Sequence, residues 1–235
     1  MIESGPEVNP RWGDSNRSTK ALAILGTLQE NYGAGVIRGK WLDVGCGSGQ
    51  IAATLAQYVE SIRGIDPEPW RCWSRLSDTV SNLQFSVGSV DELSSLVIEN
   101  SIDVAICNQV YEHVPDASHL IRELYRLLRP GGICYFAGPN LLWPIEPHVF
   151  LPFVHWLPRT AVVRTLSRLG VRRIRELDAW SLDYWRIRKE LSRTGFEVES
   201  AFATRARAGL AAGERGLATR LAARLPSCVE KLFLP

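Results

Sequence analysis

The sequence predicts an α/β fold with a doubly wound, mostly parallel sheet, on the basis of two observations. First, short apolar strands alternate with helical segments through residues 39–140. Such connections are right-handed crossovers, which place helices on both faces of one sheet. Second, a glycine-rich turn follows the first strand, at the edge where open α/β sheets bind ligands. A chain of 235 residues is long enough for one such domain with an elaboration.

The composition is that of a globular protein in a reducing compartment. Hydrophobic residues make up 46% of the chain and charged residues 22%, which argues against disorder. The five cysteines are scattered and lack Cys-x-x-Cys spacing, so neither a zinc site nor a disulfide framework is expected. The polar N-terminal segment shows no apolar signal sequence. We therefore expect a cytoplasmic protein without a metal site.

Charge is distributed unevenly along the chain. Residues 1–158 hold 11 Lys and Arg against 17 Asp and Glu, whereas residues 159–235 hold 16 against 8. A basic C-terminal part suits an anionic substrate, a membrane surface or nucleic acid. Arginines on solvated helix faces would give the same composition.

The motif that organises the chain runs from Trp41 to Gly49. Residues 41–44 form a short apolar strand, and glycines follow at every second position. Glycine has no Cβ, so the backbone can turn sharply and approach a ligand, while a helix from about Gln50 directs unpaired N–H groups toward it. A dinucleotide fingerprint would need glycine at position 50. The binding candidates here are Asp43, Gly45, Cys46, Gly47 and Gly49.

A second strand, residues 61–66, ends in a carboxylate. Asp66 follows Gly45 by 21 positions, and a carboxylate there can accept both hydroxyls of a ribose. Capping of the helix that follows Pro67 is the structural alternative. The glycines upstream favour the ribose interpretation.

Two further segments complete a recognisable pattern. A fourth strand ends in Asn108-Gln-Val-Tyr-Glu-His-Val-Pro115 and is followed by a helix. A turn with the sequence Leu128-Arg-Pro-Gly-Gly132 then leads into a fifth strand. Together with the glycine turn and Asp66, these segments resemble the type 11 family of class I S-adenosylmethionine-dependent methyltransferases over roughly residues 40–140.

The resemblance implies a Rossmann-like methyltransferase fold, an enzyme, and S-adenosyl-L-methionine as cofactor. Its methionine part would lie near Gly45, Gly47 and Asn108. The adenine contact falls at Ser89, where the family commonly has an acidic side chain, and Asp91 is the alternative. The cofactor-binding candidates that the resemblance adds are Pro67, Ser89, Val90, Asn108 and Gln109.

The chain divides into four predicted parts. Residues 1–38 form an N-terminal helical extension, and residues 39–140 form the cofactor-binding core. Residues 141–179 form a helical lid or substrate insert, apolar and rich in proline at its start, with an amphipathic Arg-rich helix over 159–175. Residues 180–235 hold a core helix, a sixth strand over 195–199 and a basic helical tail, without a confident seventh strand.

The predicted function is methyl transfer to oxygen of a small-molecule acceptor, such as a natural product, a sugar or a lipid-linked compound. Removing a hydroxyl proton favours a histidine, and His148 in the insert is preferred over His113 after strand four. N- or C-methylation and a non-catalytic scaffold are the alternatives. DNA is an unlikely partner because Asn108-Gln-Val-Tyr111 is not the Asn-Pro-Pro-Tyr element of base-modifying enzymes. The Arg-rich insert and tail suggest peripheral contact with a membrane surface.

Overall fold

A computed structural model describes residues 17–36, 38–140, 159–168 and 182–224 of the chain. Five parallel strands form one sheet in the order β3-β2-β1-β4-β5. The strands are β1 (Lys40–Val44), β2 (Ser61–Asp66), β3 (Leu83–Val87), β4 (Ile102–Asn108) and β5 (Leu128–Ala137). The predicted α/β class and parallel sheet are thus confirmed.

Helices cover both faces of this sheet. They are α1 (Arg17–Val36), α2 (Gln50–Leu55), α3 (Cys72–Thr79), α4 (Leu93–Leu96), α5 (Ala117–Leu127), α6 (Arg159–Arg168), α7 (Tyr184–Thr194), α8 (Phe202–Ala211) and α9 (Leu217–Ala222). Two short 3₁₀ turns cover Val90–Glu92 and Tyr111–His113. The predicted helical insert is described only at α6, and the rest of the helix expected over 159–175 lies outside the described residues.

Side chains of the central strands alternate between two buried clusters, as the doubly wound arrangement requires. Trp41 packs with α1 and α2, whereas the next residue, Leu42, packs with α5 on the opposite face. In β4, Ile106 and Cys107 divide in the same way and are both fully buried. The core of the protein therefore lies on both sides of β1 and β4.

The order of the strands determines where the site lies. The chain crosses from β1 to β2 on one side and returns to β4 on the other, so β1 and β4 are adjacent although β2 and β3 lie between them in sequence. Crevices at the carboxyl ends of such neighbours are the usual binding places of open α/β sheets.

The C-terminal part differs from its prediction. We expected a sixth strand over residues 195–199, but the structure assigns no strand there. Gly195 ends α7 with φ +116°, and the Phe196 N–H donates to the Leu191 carbonyl (3.1 Å). The Phe196 ring packs edge-on against Tyr125 of α5, with ring centroids 5.0 Å apart. These contacts hold Phe196 at the end of α7, away from a strand ladder.

The described part of the basic tail contains two helices, α8 and α9, and α8 packs on the N-terminal helix. Gly26 of α1 lies against Ala208 of α8, where a Cβ on Gly26 would come within 3.1 Å of the Ala208 Cβ. At the other end of the contact, Arg207 Nη2 lies 2.6 Å from Glu30 Oε1. The two ends of the described chain thus form one helical layer. None of the helices in the described ranges combines the length and hydropathy needed to cross a bilayer.

Substitution of Gly49 by alanine should test how tightly the glycine turn is packed. Gly49 has φ +78°, and a Cβ there would overlap the Phe85 ring, so the variant combines left-handed strain with overpacking. We expect Gly49→Ala to lower the free energy of unfolding by about 3 kcal/mol in urea titrations.

Gly131→Ala is the matched control. Gly131 has φ +75°, and the nearest atom to the position that a Cβ would take there is the end of the flexible Arg129 side chain, Nη1 at 3.9 Å. This variant should cost only about 1 kcal/mol, the strain alone. Equal losses in the two variants would show that Phe85 does not restrict the turn.

Candidate active site

A cavity of about 1310 Å³ opens at the carboxyl ends of β1, β2 and β4. One side is the glycine turn and the ends of the strands, and the opposite side is formed by α1, α8 and α9. Sites for one small molecule usually measure about 300–1,000 Å³. The cavity is therefore large enough for two ligands side by side.

The three glycines of the turn have positive φ angles but different roles. A Cβ at Gly45 would overlap Val110, and one at Gly49 would overlap Phe85, so these two glycines are required by packing. A Cβ at Gly47 would make only ordinary contacts, with Arg17 Nη1 at 3.7 Å and Trp70 Cζ2 at 4.0 Å. Gly45 and Gly47 both line the cavity, and only at Gly47 does packing leave room for a Cβ.

Asp66 holds the turn in place and lines the cavity. Its Oδ2 accepts the Gly47 N–H at 2.8 Å, and its Oδ1 accepts the Glu68 N–H at 3.0 Å. The next helix, α3, begins only at Cys72, so Asp66 is not its cap. A carboxylate has about four acceptor positions, which leaves free lone pairs on both oxygens of Asp66.

Asp43 is a buried carboxyl group beside the glycine turn. It is 3% exposed, and its Oδ2 accepts no hydrogen bond from the described residues. Burial raises the pKa of Asp43 to about 7, the nearby Arg17 guanidinium opposes this rise, and the Asp66 carboxylate adds to it. A buried carboxyl group with a free oxygen is ready to bind a cation.

The predicted adenine residues lie on the cavity wall after β3. The Ser89 hydroxyl donates to Glu92 Oε2 at 3.0 Å, and the Ser89 N–H donates to the same oxygen at 2.9 Å. Glu92 therefore fixes Ser89, whose hydroxyl keeps only acceptor positions for a ligand. Asp91 is exposed, and its Oδ1 lies 2.9 Å from His119 Nε2, which also lines the cavity.

The end of β4 brings Asn108 and Gln109 to the same cavity. Gln109 has φ +60°, which is unusual for a residue with a side chain, and its N–H donates to the Ala137 carbonyl at 2.7 Å. That bond extends the β4–β5 pairing into the left-handed residue. Strained residues of this kind concentrate at functional sites.

Of the two histidines predicted as the general base, His113 is the one that lies in the described residues. Its side chain is 54% exposed and lines the cavity, and its Nε2 lies 4.0 Å from Glu112 Oε1. Glu112 is fully buried within the same 3₁₀ turn. His148, the preferred base, lies outside the described residues, so its role stays a prediction.

Comparison with known proteins identifies the family. The family model described as "Methyltransferase domain" matches residues 42–136. The chain is 32% identical over 184 residues to the ubiquinone biosynthesis O-methyltransferase of Pseudomonas paraeruginosa, covering 74% of this chain and 76% of that protein. The chain belongs to the type 11 class I S-adenosylmethionine-dependent methyltransferases.

Two other matches are consistent with this family. The methyltransferase is 32% identical over 136 residues to the ubiquinone biosynthesis O-methyltransferase of Pseudomonas fluorescens, and the match spans 55% of this chain and only 58% of the length of that protein. Its fold resembles an S-adenosylmethionine-dependent methyltransferase from Mesorhizobium loti with a TM-score of 0.55. That structure is 18% identical and the match covers 76% of this chain and 81% of that one.

The family's cofactor is S-adenosyl-L-methionine, and the lining of the methyltransferase cavity fits it. The methionine part of that molecule carries one carboxylate and one ammonium group. The Arg17 guanidinium, 3.7 Å from the position that a Cβ on Gly47 would take, offers a positive charge to the carboxylate, and the Asp43 carboxyl group offers an acceptor oxygen to the ammonium. Asp66 offers acceptors for hydroxyl groups on the adjoining strand.

The sequence did not predict the residues on the side of the cavity opposite the glycine turn. Four of them carry charge or a hydroxyl and lie on α1, β5 and the α8–α9 segment, namely Lys20, Tyr135, Arg205 and Glu214. In the sequence, a lysine or arginine of a predicted surface helix gives no indication that it lines a binding cavity. Only the packing of α1 on α8 brings these distant positions together.

Asp43→Asn should remove a pH dependence of stability in the methyltransferase. With a folded pKa near 7 and an unfolded pKa near 3.8, Asp43 stabilises the folded state most at low pH, and this contribution falls as pH rises toward 7. In urea titrations, the free energy of unfolding of the variant minus that of wild type should increase by about 2.6 kcal/mol between pH 5 and pH 8. The exposed Asp78, changed to Asn, should show no such increase.

Proposed function

We propose that this chain transfers the methyl group of S-adenosyl-L-methionine to an oxygen of a small-molecule acceptor. The observation that carries the proposal is the cavity, which extends from the glycine turn to α8 and exceeds the volume of one ligand site. Its first half has the groups that suit the cofactor. Its second half, with Ile24, Phe202 and Leu221, offers apolar surface to an acceptor.

In this proposal the cofactor extends along the ends of β1, β2 and β3. Asp66 accepts the ribose hydroxyls, and Arg17 and Asp43 bind the carboxylate and the ammonium of the methionine part. Adenine lies against Pro67, Ser89 and Val90, with Asp91 as the alternative acceptor. Gly45, Cys46, Gly47 and Gly49 form the turn, and Asn108 and Gln109 line the cavity at the end of β4.

The cofactor supplies a methyl group on a positively charged sulfur, and the reaction is an in-line displacement. The protein contributes chiefly by holding the acceptor oxygen in line with that methyl group. The rigid strand ends and the glycine turn position one reactant, while α1 and α8 position the other. The helices α1 and α8 are held to each other by the packing of Gly26 on Ala208 and by the ion pair of Arg207 with Glu30.

A hydroxyl acceptor must lose its proton, and His113 is the described residue best placed to take it. It lines the cavity, and the Glu112 carboxylate 4.0 Å from its Nε2 would stabilise the imidazolium that forms. Catalytic distances are often long before the substrate binds. His148 remains the alternative base from the insert.

Oxygen is proposed as the methylated atom because relatives that share 32% identity are O-methyltransferases by name. A nitrogen or carbon acceptor would need no such base if it is already nucleophilic. The scaffold alternative is disfavoured because Asp43, Gly47 and Asp66 together keep the groups that the cofactor needs.

Contact with a membrane surface is a further part of the proposal. In α6 the apolar Val162 and Leu166 are buried, while Arg164 and Arg168 are exposed. The apolar side of the helix is therefore covered, and its arginines are available to anionic headgroups.

Calorimetric titration should test the assignment of the cofactor residues. We expect S-adenosylmethionine and S-adenosylhomocysteine to bind and NAD not to bind. Asp66→Ala should weaken the binding of S-adenosylhomocysteine by about tenfold or more, the effect of losing a charge-assisted hydrogen bond. Asp78→Ala is the control, and an unchanged affinity in Asp66→Ala would refute the ribose assignment.

The base should be revealed by pH profiles of methyl transfer to small phenols and hydroxy acids, with the products identified by mass spectrometry. If His113 is the base, His113→Ala should lower kcat by about 10²-fold or more and abolish the pH dependence near neutrality. His148→Ala should then keep the wild-type profile, and the reverse result would identify His148. Profiles unchanged in both variants would show that neither histidine is the base.

A further inference from the structure

The side of the cavity opposite the glycine turn is formed by two helices that are far apart in sequence. Lys20 of α1 and Arg205 of α8 both line it, and Tyr135 of β5 lies beneath them. The close approach of α1 and α8 at Gly26 brings these residues to one wall. This wall, formed by Lys20, Tyr135 and Arg205, is called the basic wall below.

Arg205 is fixed by its neighbours within the basic wall. Its Nη2 lies 2.7 Å from Glu214 Oε1, and the nearby Tyr135 side chain also interacts with its charge. A Cβ at Gly209 would come within 2.5 Å of Glu214 Oε2 and 2.7 Å of Arg205 Nη1, so the pair lies directly over that glycine. Glu214 therefore neutralises Arg205 and leaves it in a defined position.

Lys20 has no such counter-charge among the described residues. No carboxylate of these ranges forms an ion pair with it. Lys20 is exposed as a residue, but partial desolvation against the cavity wall lowers its pKa. The positive charges of Arg17 and Arg205 lower this pKa further, whereas Glu214 acts in the opposite direction. The ammonium group thus lies among like charges on the wall of a cavity, a position in which an anion would stabilise it.

The charges of the cavity can be compared once the cofactor is placed as proposed above. Arg17 then faces the carboxylate of the methionine part, and Glu214 already faces Arg205. Of these three cations, Lys20 alone has no carboxylate of the described residues within ion-pair distance, and Glu214, which is paired with Arg205, acts on it only from beyond that distance. The remaining place in the cavity belongs to the acceptor, and a carboxylate of the acceptor would supply the missing negative charge.

We propose that Lys20 binds a carboxylate of the acceptor, with Arg205 and Tyr135 as fixed neighbours that shape the subsite. This inference rests on the proposed function and narrows it to one substrate class, small hydroxy acids with an apolar body. A single uncompensated cation matches a carboxylate better than a doubly charged phosphate. Binding the carboxylate at the basic wall would direct the hydroxyl of such an acceptor toward the glycine turn.

Binding of 4-hydroxybenzoate and of its methyl ester tests the proposal without requiring turnover. Both probes are titrated by calorimetry at pH 7 into protein saturated with S-adenosylhomocysteine. The acid should bind wild type at least about tenfold more tightly than the neutral ester, as expected for a charge-assisted contact. In Lys20→Met this preference should disappear, and in Lys20→Arg it should be largely retained.

Lys189→Met is the matched control, because Lys189 is exposed on α7 and does not line the cavity. It should keep the full preference for the acid. A wild type that binds acid and ester equally, or a Lys20→Met variant that keeps the preference, would overturn the proposal. Failure of S-adenosylhomocysteine to bind wild type in the same experiment would instead refute the proposed function.

Discussion

The hydrogen bond between the Gly47 N–H and the Asp66 carboxylate is the constraint on which the site depends. It joins the turn after β1 to the end of β2, and the N–H groups of Gly45 and Cys46 add bonds to the Ile65 carbonyl at 2.8 and 3.2 Å. The turn is thereby held against the sheet, with Gly47 on the wall of the cavity. Because the backbone is fixed before any ligand binds, little ordering cost remains at binding.

The two sides of the cavity arise from different kinds of structure. The side proposed for the cofactor consists of the glycine turn and the strand ends, where the place of a residue follows from its position in the local motif. The side proposed for the acceptor consists of α1, α8 and α9, which come from distant parts of the sequence and meet through the contact of α1 with α8. A family can therefore keep one side and vary the other, which agrees with a family model that matches only residues 42–136.

Electrostatics distinguishes the two sides as well. The carboxyl groups of Asp43 and Asp66 line the side of the glycine turn, whereas the opposite side is lined by Lys20 and by the ion pair of Arg205 with Glu214. Within a partly desolvated cavity such charges act more strongly than at an exposed surface. The arrangement suits a positively charged sulfonium next to an acceptor that brings a negative charge.

The sequence by itself determined the parallel sheet, the glycine turn and the position of Asp66 at the end of β2, because these features depend on short-range periodicity and on spacing within one crossover. It could not show that Ser89 is fixed by Glu92, or that His119 lies at the cavity beside Asp91. It also predicted a strand over 195–199, where Phe196 instead packs on Tyr125. The tertiary structure alone decided that Lys20 and Arg205, 185 positions apart, share one wall, since only the packing of α1 on α8 brings them together.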